Sequence, residues 1–202
     1  MWETMEDIKS LFKYNDLKNN KHGILILLVI FCVSMVYSCS FKGTFQGLTS
    51  YYKKTSELNS DLIQEPSSDT SLEYRSDVVY RITGSYLKQQ IINENKVLIY
   101  LWSPNCSSSI CIPLNVLQKY AIEHKLDLYV VATYYDYEQM NKVYNLVHPI
   151  YSIDVEYYKS NLTSRYLKKF LKDLMPERDI LPEEHYLIFE RGKMVRALKM
   201  IV

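Results

Sequence analysis

Cys106 and Cys111 are the residues of this chain best suited to covalent chemistry. They lie five positions apart in residues 96–117, KVLIYLWSPNCSSSICIPLNVL. Residues 97–102 form a short apolar run, which predicts a strand buried on both faces. Ser103, Pro104 and Asn105 then make a polar turn. After Cys106 and three serines, Ile110, Leu114 and Leu117 recur at helical spacing, which predicts a helix from about Cys106 to His124. A cysteine at a helix N-terminus meets free backbone N–H groups and the positive end of the helix dipole. Both favour thiolate over thiol, so Cys106 is the expected nucleophile.

Helix geometry sets terms for Cys111. Residues i and i+5 of an ideal helix lie about 8.6 Å apart, beyond the ~7 Å limit for a disulfide. Pairing of the two cysteines therefore requires the first turn to unwind. The alternative is that Cys106 is chemically idle and Cys111 is a small apolar residue packed under the helix.

Other chemistry is thin. The four histidines are scattered, and none stands at a metal-ligand spacing with a cysteine, so no metal and no cofactor is expected. With 5 glycines there is no loop built to cradle phosphate. A formal charge of +1 gives no electrostatic case for nucleic acid as a partner. Four cysteines are too few for a disulfide scaffold. Glu183, Glu184 and His185 could form a carboxylate–imidazole pair, but a solvated loop is the better explanation. Asn161-Leu162-Thr163 matches a glycosylation acceptor, but Asn161 or Thr163 as a helix cap is the simpler reading.

A family resemblance appears at the cysteine segment. Tyr100-Leu101-Trp102-Ser103-Pro104-Asn105-Cys106 resembles the F-W-A/S-x-x-C stretch of thioredoxin-like proteins, in the W-S-P-x-C form of the membrane-tethered TlpA/ResA-like group. Tyr186 to Val195, YLIFERGKMV, resembles that group's F-L-I-D-x-x-G-x-I-V hairpin, and 130–136 its strand-plus-aspartate segment. The resemblance covers roughly 77–202. It implies an α/β thioredoxin-like fold and thiol–disulfide exchange outside the cytoplasm. It also implies Cys106 as the catalytic nucleophile, with Trp102, Pro104 and Pro182 where a partner thiol docks; Cys111 is the candidate second catalytic thiol, resolving or structural, outside the family's pattern. Pro182 is the candidate for the family's cis-proline, although it stands four residues before Tyr186 rather than two or three. The family's second cysteine falls on Ser109 here. The C-x4-C spacing is instead similar to Q-type peroxiredoxins, which unwind to form their disulfide. Ser103 matches their Thr/Ser position, and Ile99 stands where they carry proline.

The elements that must position these residues follow in order. Residues 1–22 are a polar tail expected in the cytoplasm, with Met5, Ile8, Leu11 and Phe12 on one helical face. Residues 23–41 hold 19 positions without a charge, long enough for a single transmembrane helix in contact with lipid. Lys18 and Lys21 favour a cytoplasmic N-terminus, leaving the rest of the chain in the periplasm or its equivalent. A lipoprotein anchored at Cys39 is the alternative, with Ser38 fitting a cleavage box and Tyr37 too bulky for it. Residues 42–76, with a short helix at about 51–62 and the turn-rich 64–71, read as a linker. The domain is expected over 77–202. Strands are expected at 78–82, 97–102, 126–132, 185–189 and 194–201, with a strand or extended loop at 148–154. Helices are expected at 85–93, from 106, at 136–146 and at 162–174. Helices between strands imply parallel pairs.

The sequence thus predicts a membrane-anchored thioredoxin-like protein that exchanges disulfides with protein thiols in the cell envelope through Cys106. Two other functions fit the same residues. One is a redox-inactive thioredoxin-fold binding module. The other is a peroxiredoxin-like thiol peroxidase using Cys106 and Cys111.

Overall fold

A computed structural model describes residues 47–66, 75–108 and 111–201. The tail, the 23–41 apolar run and Cys39 lie outside these residues. Among those described, no helix is long and apolar enough to cross a membrane.

The strand expected from the 97–102 run is present as β3, Lys96–Trp102. Every residue of it after Lys96 is buried, as a continuous apolar run in a sheet covered on both faces should be. Around it, in chain order, stand α1 (Tyr52–Leu58), a 3-10 turn (Ser60–Leu62), β1 (Ile63–Gln64), β2 (Val79–Ile82) and α2 (Gly84–Ile91). After β3 come α3 (Leu114–Glu123), β4 (Asp127–Ala132), α4 (Tyr137–Met140), β5 (Ile150–Ile153), α5 (Thr163–Leu174), β6 (Tyr186–Glu190) and β7 (Lys193–Leu198).

The strands make one seven-stranded mixed sheet in the order β1-β2-β5-β4-β3-β6-β7. β1, β2, β5, β4 and β3 pair in parallel, and β6 and β7 add antiparallel. The fold is α/β with helices flanking the sheet, an arrangement compatible with a thioredoxin-like fold. The chain moves one way across the sheet from β2 to β3 and the other way from β3 to β4. Right-handed crossovers then put α2 and α3 on opposite faces. The 148–154 stretch is a true strand. As β5 it sits between β2 and β4, so those two do not touch.

α5 carries its apolar stripe as the sequence pattern requires: Tyr166, Phe170, Leu171 and Leu174 are buried. It packs against α2 so closely that a Cβ on Gly84 would lie 2.1 Å from the Phe170 carbonyl oxygen. Met175, just before Pro176, ends the helix. Its N-cap is Leu162, with no side-chain cap, so neither Asn161 nor Thr163 caps it. Asn161 Oδ1 instead accepts from the buried Ser50 hydroxyl, and Thr163 Oγ1 pairs with the Tyr166 hydroxyl at 3.0 Å.

That Ser50 contact revises the domain boundary. The compact unit runs from Phe45 to Val202, so much of the expected 42–76 linker belongs to it. Thr49 bridges Leu162, Leu62 is in the core, and β1 extends the sheet beyond β2. Arg81 on β2 fastens this segment, pairing with Glu65 and Glu156 and lying 4.0 Å from Asp154.

Two helices depart from expectation. α4 is one turn rather than a helix over 136–146. The Tyr144 hydroxyl donates to the Gln139 carbonyl at 3.1 Å, using a carbonyl a longer helix would need, and Val143 is left 79% exposed. The helix expected from Cys106 begins eight residues later, at Leu114.

Candidate functional site

Pro113 explains the late start of α3. Proline has no N–H to donate within a helix and turns the preceding residue away from helical backbone. A helix through 106–124 would carry it in its interior. It sits instead at the N-cap, and its carbonyl accepts the Leu117 N–H at 3.0 Å. Residues 106–108 and 111–113 are thereby freed from the helix. Cys106 consequently has no helix dipole beside it, which corrects the expected source of its activation.

The same release permits the pairing that a regular helix forbids. Cys106 and Cys111 form a disulfide, with Cα atoms 6.0 Å apart. The loop leaves the C-terminal end of β3, the end of parallel strands where α/β sheets place their sites. Two turns shape it: Cys106 N–H donates to the Ser103 carbonyl and Cys111 N–H to the Ser108 carbonyl, each at 3.0 Å. Cys106 is exposed and Cys111 half-buried. The Ser108 hydroxyl lies beside both sulfurs, 3.2 Å from Cys106 Sγ and 3.6 Å from Cys111 Sγ.

Below the disulfide, the turn is tied to the end of β4. Thr133 donates to the Trp102 carbonyl through both its N–H, at 2.7 Å, and its hydroxyl, at 3.1 Å. Ser103 Oγ lies 3.1 Å from Thr133 Oγ1. Asn105 N–H donates to the Tyr134 hydroxyl oxygen at 3.0 Å, and the Asn105 amide donates to Asp136. Asp136 also caps α4, accepting the Gln139 N–H at 2.9 Å. Burial is the main cause that pushes the Tyr134 phenol above its ordinary pKa, so it is protonated at neutral pH.

The other residues that the sequence placed near a docking thiol fall elsewhere. Trp102 is 6% exposed, with its ring edge-on to Tyr144 at 5.8 Å, and belongs to the core. Pro104 is buried. No described peptide bond is cis, so Pro182 follows a trans bond and supplies no cis-proline. The chain just after it does approach β3, since the His185 carbonyl accepts the Leu101 N–H at 2.8 Å. Among the described residues no group of three His, Cys, Asp or Glu is placed to hold a metal ion.

A cleft that sequence reasoning missed opens beside the disulfide loop. It measures about 430 Å³ and lies between α1 and the β4–α4 loop. Tyr51 and Lys54 line one wall, Tyr134, Asp136 and Glu138 the other, and Asn105 joins them. Its walls are 80 residues apart in sequence, and one of them lies in what reads as linker. The Tyr134-Tyr135-Asp136-Tyr137 cluster was the available signal.

No protein-family model, curated protein or solved structure matches this chain.

Proposed function

We propose that the chain is a membrane-anchored, thioredoxin-like protein that exchanges disulfides with protein thiols in the cell envelope. The observation that carries this reading is the Cys106–Cys111 disulfide, held in an exposed loop at the C-terminal end of the central strand. A partner thiolate attacks Cys106 Sγ, the more exposed sulfur. The Cys106–Cys111 bond breaks as the new S–S bond forms, and Cys111 leaves as a thiolate that takes a proton from water. A second partner thiol then displaces Cys106. The partner ends as a disulfide, two electrons poorer, and the loop ends as a dithiol. The direction of the net reaction follows the potentials of the two pairs.

The sheet supports the thioredoxin-like part of this reading. β3 leads into the cysteine loop, β4 lies parallel on one side, and the β6–β7 hairpin lies antiparallel on the other. The 23–41 run supports the anchor. The C-x4-C disulfide also suits a thiol peroxidase, and the cleft suits a binding module, so the test must separate three outcomes. The full chain in detergent is reduced, then offered either a disulfide-bonded peptide or hydrogen peroxide. Exchange predicts fast loss of the Cys106 and Cys111 thiols with the peptide. A preference for peroxide by orders of magnitude supports the peroxidase. Inertness to both leaves the binding module.

A further inference from the structure

We infer that the cleft between α1 and the β4–α4 loop seats the polypeptide segment carrying the partner thiol, and that it favours basic residues beside that cysteine. This inference rests on the exchange reading above.

Position comes first. Asn105 is both part of the cleft and the residue preceding Cys106. Its N–H is fixed on the Tyr134 oxygen and its amide on Asp136, so cleft wall and disulfide loop are one hydrogen-bonded structure. A chain seated in the cleft therefore lies one residue from Cys106 at Asn105. Two of the three positions expected to dock a partner, Trp102 and Pro104, are by contrast buried in the domain.

Size agrees. At about 430 Å³, the cleft lies within the roughly 300–1,000 Å³ of ligand sites.

Charge chooses the occupant. Two carboxylates, Asp136 and Glu138, face one ammonium, Lys54. Tyr51 and Tyr134 lie edge to face, with centroids 6.2 Å apart, and tyrosine faces attract Lys and Arg side chains. Both Asp136 oxygens already accept hydrogen bonds within the domain, which leaves Glu138, exposed on α4, as the carboxylate open to a visiting cation. An acidic small-molecule thiol meets the wrong sign here.

Two single-cysteine peptides test this, one flanked by arginines and one by glutamates. Each is offered to the full-length oxidised protein in detergent, and mixed-disulfide formation is timed. Rates are normalised to the same peptide's rate with a small aromatic disulfide, because flanking charge alters the peptide thiol itself. Dithiothreitol serves as a neutral thiol too small to need the cleft. The normalised rate is expected to be about threefold higher for the basic peptide, on the order of a single solvent-exposed ion pair. Glu138→Lys should abolish that preference. Tyr51→Asn, which removes the ring while tolerating the left-handed backbone of Tyr51, should slow the basic peptide several-fold. Neither variant should change the dithiothreitol rate. If both variants leave the normalised ratio as in the parent while every thiol reacts, the cleft is not the seat. If no thiol, dithiothreitol included, opens the disulfide, the exchange reading fails and this inference falls with it.

Discussion

Ser108 is the residue beside Cys106 in place of the expected helix N-terminus. A hydroxyl donating to a thiolate stabilises the charged form, and its 3.2 Å distance to Cys106 Sγ places it to do so once the disulfide opens. A hydrogen bond is worth about 1 kcal/mol, or roughly a factor of five. In the reduced protein at neutral pH, Ser108→Ala should therefore slow Cys106 alkylation about fivefold, followed by mass spectrometry of the labelled peptide. An unchanged rate would show that the hydroxyl does not act on the thiolate. His148 offers a separate residue-scale test. Its ring stacks on Tyr129 at 4.4 Å, and burial lowers its pKa despite Asp127 and Glu94 pulling the other way. The unfolded chain thus binds a proton more readily than the folded one. Stability is complete above the unfolded value of about 6.5 and declines as pH falls below it. His148→Phe, which keeps the stacking, should flatten stability against pH between about 6.5 and 5 in urea titrations. A slope as steep as in the parent would assign that dependence to other groups. At this scale, strand and turn before Cys106 were legible because an apolar run and a Ser-Pro-Asn turn are local signals. The helix start was also written locally, in Pro113, but apolar spacing at Ile110, Leu114 and Leu117 outweighed it.

Among the elements, the contact between α2 and α5 is the tightest constraint on sequence. Gly84 begins α2 where the α5 backbone passes, and an added Cβ would meet Phe170 O at 2.1 Å and Leu174 N at 2.7 Å. These are backbone atoms within a helix and cannot step aside. Gly84→Ala should cost about 3 kcal/mol or more as overpacking, read as a lower urea midpoint with an unchanged slope. A loss under about 1 kcal/mol would mean that the helices separate easily. The same junction holds a polar chain: Gly84 N–H donates to the Tyr158 oxygen at 2.9 Å, and Tyr158 donates to Asp173 at 2.8 Å. Element type was largely legible because β3 and β4 are continuous apolar runs and the α5 stripe follows a clear helical period. α4 was overread, since Tyr137, Met140, Val143 and Tyr144 have helical spacing but Tyr144 turns back to cap the helix. The partners of β5 were not legible. Sheet order depends on which strand edge remains open, and no single segment states it.

Across the whole molecule, the segment before β2 shows how far sequence composition can mislead about a boundary. Residues 47–64 look like spacer because their period is weak and their neighbours are turn-rich. They are held by long-range contacts instead: the Ser50 hydrogen bonds, β1 on the sheet edge, and Arg81 reaching Glu65 and Glu156. Burial works against the Arg81 charge, yet its hydrogen bonds to Glu156 and Glu65 hold its pKa above the usual arginine value. The two hydrogen-bonded partners, Glu65 and Glu156, are more than half exposed, so solvent discounts the network, and Arg81→Ala should cost only about 1 kcal/mol. That loss should shrink in high salt. The 23–41 run sets the expectation for topology. A reporter fused after Val202 and active only when translocated should be active, and activity confined to a cytoplasmic reporter would remove the envelope from the account.

Trapping of a mixed disulfide tests the central claim most directly. Cys111→Ser leaves Cys106 able to attack a partner disulfide but removes the thiol that resolves the product. Cys106→Ser removes the exposed attacking sulfur. Offered a disulfide-bonded peptide, the reduced Cys111→Ser protein should accumulate a stable adduct at Cys106, seen as the added peptide mass on non-reducing analysis. Cys106→Ser should accumulate little or none. Equal and slow labelling of the two variants, with no adduct held at Cys106, would contradict exchange through this loop.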